Sequence, residues 1–385
     1  MPKATEPPTF WTDRRNDMTR QTPDTGLTRR TLAKGLVAGT AASALAAPAI
    51  AQSAPTVNWR MTSSFPKSLD TIYQGGPTVA KLVSDMTDKK FNIQVFAAGE
   101  IVPGLQVLDA VQNGTVECGH TYSGYYIGKE PALIFDGSLP FGMTPRQHTA
   151  WLQFGGGRAL VDKVYDKFNV VAIPAGNTGA QMLGWFRKEI KTVDDFKGLK
   201  MRIAGFGGRV LTKLGGVPQQ IAGGDIYPAL EKGTLDAVEF VNVYDDEKLG
   251  FFKVAPFCYG PFVMEMEAAI PVFVNKAAYN ALPPHYQSIL RAACAYADQE
   301  MLASYDAKNP KALSSVTSKG AKLSWMAPEV LKAMKDATDA VLDEEAGRNE
   351  LFKEVLGHWR QFRQEQHMYQ SIADARAEMT TYSLQ

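Results

Sequence analysis

Cysteine is scarce in this chain: Cys118, Cys258 and Cys294 stand far apart among 385 residues. No C-x-x-C occurs, which excludes a zinc ribbon or a thioredoxin-type dithiol. In an oxidising compartment one pair would be free to bridge, leaving one thiol; the simpler reading is three small buried hydrophobes. Histidine is scarce too, with five residues, and His120 beside Cys118 is too little for a transition-metal site. An excess of one charge is also missing. Lys and Arg number 41 against 40 Asp and Glu, a net +1. The basic residues are dispersed, so no field points to nucleic acid or to an anionic membrane surface. Neither a G-x-S-x-G, an H-E-x-x-H nor a Walker motif occurs. Gly205-Phe206-Gly207-Gly208 follows a strand as a dinucleotide loop would, but Val210 stands where the last glycine should be; the run reads better as an anion-friendly helix start near Arg202. Asp245-Asp246-Glu247 suits a helix N-terminus and lacks the regularly spaced oxygens of a calcium loop.

A long hydrophobic run is absent as well. The best, Gly35 to Ala47, is rich in Gly and Ala and too short to span a bilayer. It follows Thr28-Arg29-Arg30-Thr31-Leu32-Ala33-Lys34 and leads to Ala49-Ile50-Ala51 and Gln52. A basic pair, a modest apolar region and a small-residue cleavage site in that order make a twin-arginine export signal. The mature chain is expected to begin near Gln52, in a periplasm or an equivalent exported space. No Cys follows the cleavage site, so no lipoprotein anchor is expected. Residues before Thr28 are Pro-, Thr- and Asp-rich and read as disordered; Met18 is an alternative start.

What is present is an ordinary globular composition, 45% apolar and 21% charged, at a length that suggests two lobes rather than one core. Thr56 to Met61 and Phe91 to Phe96 read as strands, Ile72 to Met86 as a helix. Val107 to Cys118 gives helix, Gly stop, strand, and Ile226 to Val238 repeats that cadence, which predicts two similar α/β lobes. Asn169 to Ile173 is a buried strand running into a crossing between lobes at Pro174 to Asn177. Glu239 to Asn242 reads as a crossing back, and Ala268 to Val274 as a third. Ligands of α/β sheets sit at the carboxyl ends of strands, which places Gln181, Arg202 and Phe240 near one cleft. Asn242 would reach a ligand there or make a hinge hydrogen bond. From Pro283 the chain turns helical over Tyr286 to Tyr305, Ala327 to Gly347 and Asn349 to Arg376. Trp359, Phe362, Met368 and Tyr369 on the last of these would form a partner surface or pack on their own lobe.

The mature chain, from about Ser63 to Arg376, resembles the solute-binding proteins of TRAP transporters, within them the subgroup that binds 2-oxo acids and lactate. SSFPKSLDTIY, PAGNTGAQMLGWF, GLKMRI, GGVPQQIAGGDIYPALEKGTLDAVE, YDDEKLG and YDAKNP carry the likeness, in order and at normal spacing. The resemblance implies a two-lobed periplasmic binding protein fold, two α/β lobes with a cleft between them plus a helical C-terminal extension. It implies 52–176 and 242–268 as lobe I, 177–241 and 269–325 as lobe II, and 326–385 as helices for dimerisation, after 1–51 as the disordered start and signal. It also implies a receptor, not an enzyme, that closes on a small carboxylate and delivers it to a membrane permease. The dimer would form by exchange of the C-terminal helix between protomers.

Residue by residue, Arg202 matches the arginine that grips the carboxylate, and a guanidinium suits that group bidentately. Gln181, the backbone carbonyl of Phe240 and Glu265 match the protein ligands of a bridging cation. All are oxygen donors, suiting Na+ or Ca2+ rather than zinc. Glu267, two residues on, is the alternative if the register slips. Tyr125 and Tyr126 are expected to complete the pocket or to serve lobe packing. The family usually has Trp at Phe240, aromatic walls where Val263-Met264-Glu265-Met266 stands, and often another Tyr at Gly124. Met in place of aromatic walls predicts a more adaptable pocket and an acid bulkier than pyruvate. Two rival readings use the same cleft. One is an exported lyase or isomerase with Glu265 as base and the cation as Lewis acid. The other is a metal-free receptor in which Glu265 binds an amine or hydroxyl.

Overall fold

The structure is a computed structural model and describes residues 55–261 and 263–384. The export signal falls outside the described residues. Eleven strands follow in chain order among them: β1 (Val57–Ser63), β2 (Phe91–Phe96), β3 (Cys118–His120), β4 (Val170–Asn177), β5 (Gly184–Phe186), β6 (Lys200–Arg202), β7 (Val217–Gln219), β8 (Ala237–Val238), β9 (Phe257–Gly260), β10 (Ala269–Asn275) and β11 (Lys322–Trp325).

They form two sheets. The first has the order β2-β1-β3-β10-β4, the second β11-β9-β5-β8-β6-β7. In the first, β1 pairs in parallel with β2 and β3, and β10 runs antiparallel between β3 and β4. β10 is buried along its whole length, as a central strand covered on both faces must be, and its sequence Ala-Ile-Pro-Val-Phe-Val is apolar without alternation. Pro271 sits inside it where the register with β4 shifts, the place where a residue without an N–H is tolerated in a central strand. Each sheet carries helices, giving the two α/β lobes read from the sequence.

The expected lobe bounds need correction. Phe257–Gly260 pairs with β5 and β11 in the second sheet, not with lobe I. Ala269–Asn275 belongs to the first sheet, not to lobe II. Glu239 to Asn242 is therefore no crossing back, because it leads directly into the helix Val243–Leu249 and the chain stays with the second sheet as far as Gly260. The strand-to-strand crossings are 177–184 and 260–269. The third link is the helix Pro284–Ser318, about 50 Å long at 1.5 Å per residue. Its first half packs with the core of the first sheet through Tyr286, Leu290, Ala293 and Cys294. Its second half packs with the second lobe through Tyr305, Ala312 and Val316.

The C-terminal helices strap both lobes. Val330 and Met334, on the helix Pro328–Ala346, join the core of the second lobe. Val341 and Leu342 of the same helix, with Phe352, Val355, Leu356 and Trp359 of the helix Glu350–Gln370, join the first. Trp359 and Phe362 thus serve their own chain, whereas Met368 and Tyr369 are exposed. The three cysteines are buried free thiols. Among the described residues no helix is long and apolar enough to cross a membrane.

Candidate functional site

Three chain segments meet between the sheets: 177–181 after β4, 239–242 after β8, and 263–268 between β9 and β10. Backbone bonds tie them together. Gln181 N donates to Glu265 O (3.0 Å) and Thr178 N to Ala268 O (3.1 Å). Asn242 Nδ2 donates to Thr178 O (2.9 Å). Asn242 is thus a seam residue holding two segments together, and it does not line the cavity described next.

Strand alternation sets the arginine. In β6, Lys200 is exposed, Met201 points into the core of the second lobe, and Arg202 faces the seam. β6 and β8 are parallel, with Arg202 level with Val238, so Arg202 and Glu239 meet at strand carboxyl ends, where α/β sheets bind ligands. Arg202 is 1% exposed. Its Nη1 donates to the Glu239 carbonyl (2.5 Å) and lies 3.7 Å from the Glu239 carboxylate. The guanidinium carbon stands 4.7 Å from the centre of the Phe240 ring, a favourable cation–π distance.

Gln181 is buried. One end of its amide meets Thr178 Oγ1 (2.9 Å), as donor with nitrogen on that side and as acceptor with oxygen there. The inward atom of the amide lies 2.7 Å from Glu239 Oε1, 3.1 Å from Glu265 Oε2, 3.1 Å from the Phe240 carbonyl and 3.2 Å from the Val241 carbonyl. Every one of those neighbours is an acceptor. With nitrogen inward the amide would donate to them; with oxygen inward, five oxygens converge, and either a cation or a proton held on the buried Glu265 carboxyl reconciles them. The donor set is all oxygen, with two carboxylates, an amide and two carbonyls, and it fits a hard ion such as Na+ or Ca2+.

The two carboxylates are electrostatically costly as they stand. Burial, and then the neighbouring Glu239, push the Glu265 pKa well above the usual carboxylate range. Burial likewise raises Glu239, against the pull of Arg202. Tyr122 donates its hydroxyl to Glu265 Oε1 (2.8 Å). Gly205, with φ +57°, allows the helix Gly205–Lys213 to start against this pair: a Cβ there would stand 3.4 Å from the Tyr122 hydroxyl and 3.2 Å from Ile134. Gly124 has a similar reason, since a Cβ there would fall 2.3 Å from the Tyr122 ring. A larger residue at 124 is incompatible with Tyr122 as it lies.

These groups surround a cavity with free space of only about 10 Å³, about that of one water molecule, so the lobes must part to admit an acid. Phe65, Ile72, Ala204, Phe240 and Ile270 give it apolar walls, and Tyr122, Tyr125, Gln181, Arg202, Glu239 and Glu265 give it polar ones. Arg202, Gln181, Phe240, Glu265 and Tyr125 are therefore gathered as the sequence suggested. Tyr126 is not: its hydroxyl bonds Thr121 Oγ1 (2.8 Å) and its ring packs near Phe273 in the first lobe. Met264 is buried in the core of the second lobe and Met266 faces an outer groove, so neither replaces a pocket wall. Sequence reasoning missed Glu239, Tyr122 and Thr178. Glu239 had a signal, a lone carboxylate directly after the buried strand Ala237–Val238.

Glu267 does not compete for the cavity. Its carboxylate takes the His148 Nδ1 (2.8 Å) and the Asn177 Nδ2 (2.7 Å), while His148 Nε2 meets the Phe135 carbonyl (3.0 Å). Burial opposes the His148 charge, but the Glu267 and Asp136 carboxylates outweigh it and hold the pKa at about 8. A raised histidine pKa stabilises the fold fully below about 6.5, and the contribution is lost as pH rises through the folded value. The stability difference between the wild type and His148→Gln is expected to shrink by about 2 kcal/mol between pH 6 and pH 9. Urea unfolding at both pH values checks this; a difference that does not change with pH contradicts it.

The chain matches the profile of the DctP family, the bacterial extracellular solute-binding proteins of family 7, over residues 62–348. It is 52% identical over 311 residues to a monocarboxylate 2-oxoacid-binding periplasmic protein of Nostoc, covering 81% of this chain and 85% of that one. It is similar in structure to a TRAP transporter solute-binding protein from Bordetella bronchiseptica (TM-score 0.85, 49% identity, 86% and 98% of the two chains). That protein is a mixed-occupancy dimer with copurified calcium and picolinate in its active site. It is also similar to a TRAP periplasmic solute-binding protein from Pseudoalteromonas atlantica with bound sodium and pyruvate (TM-score 0.82, 34% identity, 84% and 99% of the chains).

Proposed function

The chain belongs to family 7 of the bacterial extracellular solute-binding proteins, and on that premise we propose which acid it takes and how its own residues hold it. It is a periplasmic receptor of the TRAP type for a small monocarboxylate, and the family and the matched relatives are receptors, so the lyase reading is set aside. In our reading Arg202 takes the ligand carboxylate, and Gln181, Glu239, the Phe240 carbonyl and Glu265 hold a cation that the acid shares. When bound, the ion supplies positive charge and coordination sites for the carboxylate and its neighbouring 2-oxo or 2-hydroxy oxygen. Phe65, Ile72 and Phe240 then receive the side chain of the acid. The observation that carries this is the inward atom of the Gln181 amide, ringed by four acceptors next to a buried arginine.

Charge favours calcium. Glu239, Glu265 and the ligand carboxylate against one guanidinium leave two negative charges in a buried place, which a divalent ion balances and sodium does not. Calorimetric titration with pyruvate, in calcium and after chelation, tests the reading. We expect affinity to fall at least about 100-fold on chelation, roughly 2.7 kcal/mol, with sodium restoring only part of it. Equal affinity in chelator would favour the metal-free receptor. The expectation of an acid bulkier than pyruvate loses its basis, because neither Met264 nor Met266 lines the cavity; larger 2-oxo acids binding more tightly than pyruvate would restore it.

Three further features belong to this reading. Closure of the lobes over the acid presents the surface that the permease reads. Twin-arginine export of the folded chain follows from Arg29 and Arg30. A homodimer forms through the C-terminal helix, supported by the exposed Met368, Tyr369, Ile372, Met379 and Tyr382 and by the dimeric Bordetella relative. Light scattering should give a dimer for the mature protein and a monomer once residues 371–385 are removed; a monomeric full-length protein contradicts the exchange.

A further inference from the structure

We propose that Thr178 is the residue that makes the cavity a cation site, by turning the oxygen of the Gln181 amide inward. The inference rests on the reading above and adds a residue to it. Thr178 is 1% exposed, and its backbone is fixed from both sides: its N–H donates to Ala268 O and its carbonyl accepts from Asn242 Nδ2. The hydroxyl therefore has a set position.

The accounting at that hydroxyl decides the amide. A threonine hydroxyl has one hydrogen and two lone pairs. Thr178 Oγ1 gives its hydrogen to the Gly179 carbonyl (2.9 Å) and accepts from Ala268 N (3.0 Å) and from Gln181 Nε2 (2.9 Å). All of its capacity is used. While that hydrogen stays on the Gly179 carbonyl, the hydroxyl meets the NH2 end of the amide, and the carbonyl oxygen is presented to Glu239, Glu265, Phe240 and Val241. The opposite orientation is chemically attractive in the absence of an ion, because an inward NH2 finds four acceptors. It requires the Thr178 hydrogen to swing to the Gln181 oxygen, which leaves the Gly179 carbonyl without it. Gln181 thus has two competing orientations, one that accepts a cation and one that fills the nest with its own hydrogens. Thr178 biases the choice.

The test is a threonine series read by calcium calorimetry in saturating pyruvate and by pyruvate affinity with and without chelator. Thr178→Ser keeps the acceptor and should hold calcium affinity within about threefold of wild type. Thr178→Val loses it, and the amide turns; calcium affinity should fall at least about tenfold, and pyruvate affinity should lose most of its dependence on calcium. Thr178→Cys fills the same space with a poor acceptor and should fall between them. It carries the test if the valine variant does not fold. A merely structural role would lower the melting temperature without changing the calcium dependence of whatever pyruvate binding remains. Valine and cysteine variants that bind calcium as tightly as wild type overturn the inference while leaving the site reading intact. A wild type whose pyruvate affinity ignores calcium overturns the site reading, and this inference with it.

Discussion

Arg202→Met is expected to weaken pyruvate binding by about 30-fold to several thousandfold. The basis is the cost of truncating one partner of a buried hydrogen-bonded charge pair, roughly 2–5 kcal/mol or more, converted at about 1.4 kcal/mol per tenfold. Arg202 also neutralises Glu239 in the unliganded protein, so the methionine variant should unfold more easily, and binding loss alone would not prove ligand contact. Arg202→Lys separates the two effects. It keeps the positive charge against Glu239 but not the planar fork that pairs with a carboxylate. We expect near-normal stability with at least about a tenfold loss of affinity. A lysine variant that binds pyruvate as well as wild type would mean that Arg202 supports Glu239 and does not hold the acid.

Glu239→Gln is expected to have the second large effect, with opposite signs in its two readouts. Calcium-dependent affinity for pyruvate should fall about 100-fold, because one of two charged oxygen donors of the nest becomes neutral. Stability of the ion-free protein should rise by a few degrees in Tm, because burial raises both carboxylate pKa values and Glu239 pushes that of Glu265 up further, which means that the ionised pair works against the fold near neutral pH. The preference for calcium over sodium should shrink as well, since only one negative charge then remains uncompensated. Glu265→Gln should act similarly on affinity, while freeing the Tyr122 hydroxyl from its carboxylate partner. A Glu239 variant that is both less stable and unchanged in calcium affinity would place this carboxylate in a purely structural pairing with Arg202.

The site was legible in the sequence where one residue type is chemically distinctive. Arg202 announced itself as a charge flanked by Leu199, Met201 and Ile203, and Gln181, Phe240 and Glu265 came from the resemblance; the structure places all four around one cavity. Glu239 escaped because it was read as part of a crossing strand, when it marks the carboxyl end of β8 and the start of the turn into the helix Val243–Leu249. Tyr126 and Tyr122 stand four residues apart in one tyrosine-rich stretch, and nothing local says which hydroxyl turns to Glu265 and which to Thr121. That choice depends on Gly124, Gly137 and Gly205, whose missing side chains leave room for the Tyr122 ring.

The fold shows the same limit. Two α/β lobes and the terminal helices follow from periodicity and from the repeated helix–Gly–strand cadence. Strand partnership does not. β9 and β10 are both short apolar runs, and an apolar run reads the same whichever sheet it enters; their partners β5, β11, β3 and β4 lie far away in sequence. The helix Pro284–Ser318 runs past Tyr305, where the sequence reading ends it, and through Pro310, a residue that interrupts most helices. Packing on both lobes carries the helix through that proline.

The central claim is that a small carboxylate and a cation share one buried site built on Arg202, Gln181, Glu239 and Glu265. Native mass spectrometry of gently purified mature protein, with metal analysis of the same sample before and after chelation, tests it most directly. The account predicts one small 2-oxo or 2-hydroxy acid and one calcium per chain, released together by the chelator. An acid that stays bound after the metal is gone, or that arrives with no metal at all, would contradict it.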